Sequence, residues 1–97
     1  MDREGIHLVR AFNRKVDIPW DNVDLVRHGP RRIRSMKVSS LGYALVVRGK
    51  LRGQDQLIEV DDVNYLVSQK ALRNVIDLIV ARAARGTVVE SPPSSDW

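Results

Sequence analysis

The chain is 97 residues long and 43% hydrophobic, the size and composition of one domain with a modest core. It has no cysteine, which excludes disulfides and thiolate metal sites, and its formal charge of +4 makes anionic partners a class to weigh. Residues 1–5 carry no apolar signal region, and no run comes near the roughly eighteen apolar residues of a membrane span. The expectation is a soluble, cytoplasmic chain, standing alone or cut from a longer or membrane-anchored protein.

After residues 1–5, read as an N-terminal extension, the chain up to Ser68 reads as short strands separated by turns. Residues 6–12 are apolar-rich, and Val16 and Ile18 alternate with Asp17 before Pro19 interrupts, which predicts a first hairpin turning near Asn13. Trp20-Asp21-Asn22 reads as a turn leading into a strand through Leu25 and Val26, with a helix as the alternative. His28-Gly29-Pro30 is a breaker, and residues 33–38 then alternate basic and apolar side chains. Residues 41–47 form the clearest strand. Tyr43, Leu45 and Val47 fall on one face and Ala44 and Val46 on the other, the pattern of a central strand covered on both sides. Residues 49–56, with two glycines, read as a hairpin loop, and residues 57–60 as the returning strand. Asp61-Asp62 breaks that strand, and residues 63–67 lead on as a last strand or a loop.

A helix is predicted from Ser68 to Gly86. Ser68 can accept a bond from an unpaired first-turn amide, and Val67 and Leu72 stand at the staple positions. Leu72, Val75, Ile76, Ile79 and Ala83 recur at three- and four-residue spacing as one apolar stripe, Arg82 and Arg85 suit the negative end of the helix dipole, and Gly86 suits a left-handed terminus. The domain is bounded at residues 6–86. Residues 87–97 are assigned to a flexible tail, since residues 91–97 hold no core-forming side chain except Trp97, which is either a docking element or incidental.

Strands first and one closing helix imply an α+β architecture. The order of elements, the segment Ile18-Pro19-Trp20-Asp21-Asn22-Val23 and the hairpin of residues 41–60 resemble the bacterial pleckstrin-homology-like (PH-like) domains over residues 6–85. In that family an aliphatic residue, a proline, a tryptophan and, three residues on, another aliphatic end one strand and lead into the next; Ile18, Pro19, Trp20 and Val23 match. The resemblance implies a strongly bent antiparallel sheet, or a partly open small β-barrel, plugged by the helix. The chain departs from the family's eukaryotic members in having no tryptophan in its helix. Only Arg10, Arg14 and Lys15 lie where phosphoinositide-binding members space their cations, so lipid binding is not carried over.

Charge is distributed unevenly, with eleven basic and five acidic residues up to Lys50 and five basic and seven acidic from Leu51 onward. Arg27, Arg31, Arg32, Arg34 and Lys37 fall in an acid-free stretch, where strand alternation would put Arg32 and Arg34 on one face and Arg31 and Ile33 on the other. Arg48, Lys50 and Arg52 form a second cluster. These eight are the candidate anion- or partner-binding residues, since guanidinium groups bind phosphate and carboxylate through bidentate contacts; the alternative is an ordinary solvated face. Trp20 is the candidate structural anchor of the next strand, with a groove-lining role as its alternative.

No catalytic, metal or cofactor residue is assigned. His7 and His28 are the only histidines, and each is explained as structure, His7 in a strand and His28 at a turn. Asp21 with Asp24, and Asp61 with Asp62, are better read as turn formers and strand breakers than as acid–base or metal pairs. The function expected is non-enzymatic: an interaction domain presenting a basic surface or a sheet edge to a protein partner or to a second copy. The alternatives are a small basic nucleic-acid-binding barrel and an anionic-lipid-binding module.

Overall fold

The computed structural model describes residues 4–10, 14–35, 38–63, 68–83 and 86–97. In chain order these form β1 (Gly5–Arg10), β2 (Arg14–Pro19), a single 3₁₀ turn at Trp20–Asn22, β3 (Val23–Ser35), β4 (Val38–Leu51), β5 (Gln54–Asp61), α1 (Gln69–Arg82) and β6 (Val88–Glu90). The architecture is α+β, mostly sheet with one helix late in the chain. β1 and β2 make an antiparallel pair with Ile6 opposite Ile18, and the other four strands make a sheet in the order β5-β4-β3-β6.

The expected single bent sheet, or partly open barrel, is therefore corrected to two sheets that do not close. The hairpin is laid on the larger sheet by side-chain packing and not by a ladder. Ile18, fully buried, rests where Gly49 leaves room on β4, and a Cβ on Gly49 would approach the Asn22 carbonyl oxygen to 2.6 Å.

β4 is central, as its two-sided pattern predicts. Leu45 and Val47 enter the main core with Ile6, Ile18, Val23, Val26 and Ile58, while Ala44 and Val46 are buried on the opposite face. The turn to β5 is tighter than expected. Only Arg52 and Gly53 lie outside the ladder, at φ of 53° and 79°, which makes the two-residue hairpin turn whose twist matches its strands. Gly49, expected in a loop, sits within β4.

The expected break at His28-Gly29-Pro30 does not occur, and β3 runs through it. The Pro30 carbonyl accepts a hydrogen bond from outside the β3–β4 ladder, so its ring nitrogen, on the same side of the strand, also points away from β4 and no ladder bond is lost.

The helix covers the core face with Leu72, Ile76 and Ile79, with Val75 packed beside them. Ser68 Oγ accepts from the Ala71 amide at 3.0 Å, the cap read from the sequence, a kind worth about 0.5–2 kcal/mol. Its end differs: Ala83, extended at ψ 143°, terminates it, and Gly86 (φ 90°) belongs to the turn that follows. Val67 and Arg85 lie outside the described residues.

That turn brings the chain back to the sheet, where no strand was expected. β6 pairs parallel to β3 with Leu25 opposite Val88 and Arg27 opposite Glu90. Residues 91–97, assigned to a flexible tail, continue along the same edge: the Arg32 amide donates to the Ser95 carbonyl at 3.0 Å, and Trp97 Nε1–H donates to the Pro30 carbonyl at 2.8 Å. No helix among the described residues is long and apolar enough to cross a membrane.

Candidate functional site

The structure places seven of the eight candidate cations, in three groups. Arg27, Arg31 and Arg48 are each held by a carboxylate of the same chain. Arg27 places Nε and Nη2 at 2.8 and 2.6 Å from one oxygen of Glu90, Arg31 meets Glu59 at 3.2 Å, and Arg48 meets Asp24 at 2.8 Å. The Arg48 guanidinium is raised above its already high ordinary pKa, first by the hydrogen bond to Asp24 and then by that carboxylate's charge. These pairs lie on or beside the sheet face away from the helix, where strand register puts Arg27, Val46 and Glu59 in one row.

Lys50 and Arg52 stand at the other end of β4, in and beside the β4–β5 turn. Lys37 lies outside the described residues. Arg32 and Arg34 form the third group. Past Tyr43, neither β5 nor β6 accompanies β3 and β4, which continue as a two-stranded ribbon with Arg32 opposite Leu41 and Arg34 opposite Ser39. Both arginines are exposed, and among the described residues neither side chain makes an ion pair. Leu41, 69% exposed, is directly opposite Arg32.

The ribbon and residues 95–97 border an open hollow of about 460 Å³, lined by Arg31, Arg32, Arg34, Ser39, Ser95, Asp96 and Trp97. The indole of Trp97 forms one wall, with Arg31 Cζ 5.1 Å from its ring centroid. A second hollow, of about 240 Å³, is lined by the same three arginines with Ile33, Glu59 and Asp61. An apolar hollow of about 150 Å³ lies under the helix between Ile6, Leu45, Val47 and Ile79. It is smaller than the roughly 300–1,000 Å³ of small-molecule sites.

Comparison with family models, with curated proteins and with solved structures finds no match. The chain's own geometry therefore carries the functional argument.

The remaining candidates fall into structural places. Trp20 packs against the core at the entry to β3, with Arg82 Cζ 6.0 Å from its ring centroid. His7 Nδ1 and Asp17 Oδ1, directly opposite each other in the hairpin, are 2.6 Å apart. His28 Nδ1 bonds the Tyr43 hydroxyl at 2.9 Å. Asp61 and Asp62 accept backbone amides, from Val63 at 2.9 Å and Tyr43 at 3.0 Å, and so shape the exit from β5.

Sequence reasoning missed Glu90 as the partner of Arg27 and the docking of Trp97, both across more than sixty residues of chain. It also missed Arg73, which α1 holds over the Tyr43 ring at 5.2 Å.

Proposed function

We propose that the chain is a non-enzymatic interaction domain whose β3–β4 ribbon takes an acidic protein segment, with Arg32 and Arg34 binding its carboxylates and Leu41 receiving an apolar side chain. The observation that carries this reading is the division among the arginines. Three are held by carboxylates within the fold, whereas Arg32 and Arg34 stand on the ribbon and neither makes an ion pair among the described residues, although Glu59, Asp61 and Asp96 line the hollows beside them. Arginine forks fit carboxylates bidentately, and an exposed leucine beside them suits a peptide better than a phosphate chain.

Nucleic acid is the second reading, and the distribution of charge favours it less. A duplex surface neutralises a row of phosphates, but here the basic groups stand at two ends of β4 with Asp24, Glu59 and Glu90 between. Kinship with the PH-like domains is part of the proposal. The hairpin, the Pro19-Trp20 turn into β3 and the late helix support it, and the division into two unclosed sheets and the additional strand β6 are where this chain departs from it.

Titration of the full chain with a short glutamate-rich peptide, a mixed-sequence DNA duplex and phosphatidylserine vesicles separates the classes. Saturable binding of the peptide at about 0.15 M salt, with the duplex binding only at low salt, is the expected result. Equal binding of any duplex at that salt, or co-sedimentation with the vesicles alone, overturns it.

A further inference from the structure

The β3–β4 ribbon has two edges, and the fold treats them differently. On β4, the Tyr43 amide donates to the Asp62 carboxylate at 3.0 Å and the Tyr43 carbonyl accepts from the Asp62 amide at 3.2 Å, so both backbone groups of Tyr43 point away from β3. Antiparallel geometry repeats this at every second residue, which turns the amides and carbonyls of Leu41 and Ser39 the same way. On β3 the same alternation turns Arg32 and Pro30 toward the opposite edge, and there residues 95–97 are seated: the Arg32 amide donates to the Ser95 carbonyl at 3.0 Å, and the Pro30 carbonyl accepts from the Trp97 indole at 2.8 Å. The β4 edge has no such cover. β5 ends at Asp61, opposite Ala44, and Asp62 serves Tyr43, which leaves Ser39 and Leu41 with no neighbouring strand on that side among the described residues. Ser39, Ser40 and Leu41 are all exposed.

Resting on the reading of the ribbon as a site for an acidic segment, we propose that the segment binds as an added β-strand along the β4 edge. Its backbone bonds the outward amides and carbonyls of Ser39 and Leu41 and takes up the line that β5 leaves at Asp61. The side chains agree with this placement. Arg32 is directly opposite Leu41 and Arg34 opposite Ser39, so these four stand on one face of the ribbon. Every second side chain of an added strand falls on that face, one strand from Leu41 and Ser39 and two strands, about 10 Å, from the arginines, a gap that an extended guanidinium and a glutamate side chain span together. The edge therefore selects a segment with acids at alternate positions. Charge argues against a second copy as the occupant. Residues 31–43 hold three arginines and one lysine and no acid, so two ribbons laid edge to edge would bring cations to cations.

Amide hydrogen exchange of the full chain, read residue by residue by NMR with and without saturating glutamate-rich peptide, tests the added strand. The amides of Ser39 and Leu41 are expected to slow by a factor at least about ten greater than those of Ser40 and Gly42, which already point into the β3–β4 ladder. Ser39→Pro removes one outward donor and leaves the ladder intact, the placing that Pro30 already has in β3. It is expected to bind the peptide at least about tenfold more weakly, because a strand bond is lost and the ring stands where the added strand must approach, whereas Ser39→Ala binds as the unaltered chain does. Where Ser39→Pro folds poorly, the exchange pattern of the unaltered chain decides. Binding with no added protection at Ser39 and Leu41 overturns the added strand and leaves the acidic-segment reading standing. A peptide that fails to bind at all overturns that reading and the added strand with it. Protection of the same amides in the peptide-free chain, rising with protein concentration together with a doubled mass in light scattering, assigns the edge to a second copy and overturns the proposal.

Discussion

Ile18→Ala is expected to destabilise the domain by about 2–5 kcal/mol, a large share of the roughly 5–15 kcal/mol available to a domain of this kind. Ile18 is fully buried and packs hairpin and sheet together, so its loss leaves a cavity at the one junction where the two sheets are joined by packing instead of a ladder. The other half of that junction is Gly49. Gly49→Val would drive a branched side chain against the Ile18 side chain and against the Asn22 backbone, at 2.6 Å for the carbonyl oxygen, and backbone cannot yield as a rotamer can. A cost at or above about 3 kcal/mol is expected, the upper end for overpacking. Because the two residues share one contact, the paired changes Ile18→Ala and Gly49→Ala should be less costly together than their sum by more than about 0.5 kcal/mol. Urea denaturation of the four chains measures this. Strict additivity would show that the hairpin is held elsewhere.

Arg32→Glu with Arg34→Glu is expected to weaken binding of the glutamate-rich peptide at least about a hundredfold, since each charge-assisted contact is worth about 1.5–3 kcal/mol and reversal adds repulsion. Stability should change little, because both side chains are exposed and neither is ion-paired among the described residues. Lys50→Glu with Arg52→Glu makes the same change in net charge at the far end of β4. Ser39 and Lys50 are eleven steps apart along the strand, about 35 Å, several times the screening length at physiological salt. That variant should bind as the unaltered chain does. If isothermal titration shows the two double variants equally impaired, binding depends on net charge and not on the ribbon.

The elements legible in the sequence were those whose signals are local and repeated. α1 announces itself through Ser68 and the spacing of Leu72, Ile76 and Ile79, and β4 through the alternation around Leu45. Local rules divide β3, because Gly29 and Pro30 are strand breakers. The strand survives them because the side of β3 that Pro30 turns outward is served by Trp97, whose position depends on the whole fold. β6 has three residues, too few for any period, and only the β-branched pair Val88-Val89 hints at it. The site was legible as a set and not as a choice. Arg27 and Arg34 look alike in sequence, and what separates them is Glu90, brought alongside Arg27 by a strand that comes after the helix. Arg73 was invisible for the same reason, since its place over Tyr43 is set by how α1 lies on the sheet.

The most direct test of the ribbon as the binding surface is residue-by-residue NMR of the isotope-labelled full chain titrated with the glutamate-rich peptide. The account predicts shifts that saturate together at Arg32, Arg34, Ser39 and Leu41 and that are absent at Lys50, Arg52 and Gly53. Shifts centred on the β4–β5 turn, or scattered over the surface without saturating, would contradict it.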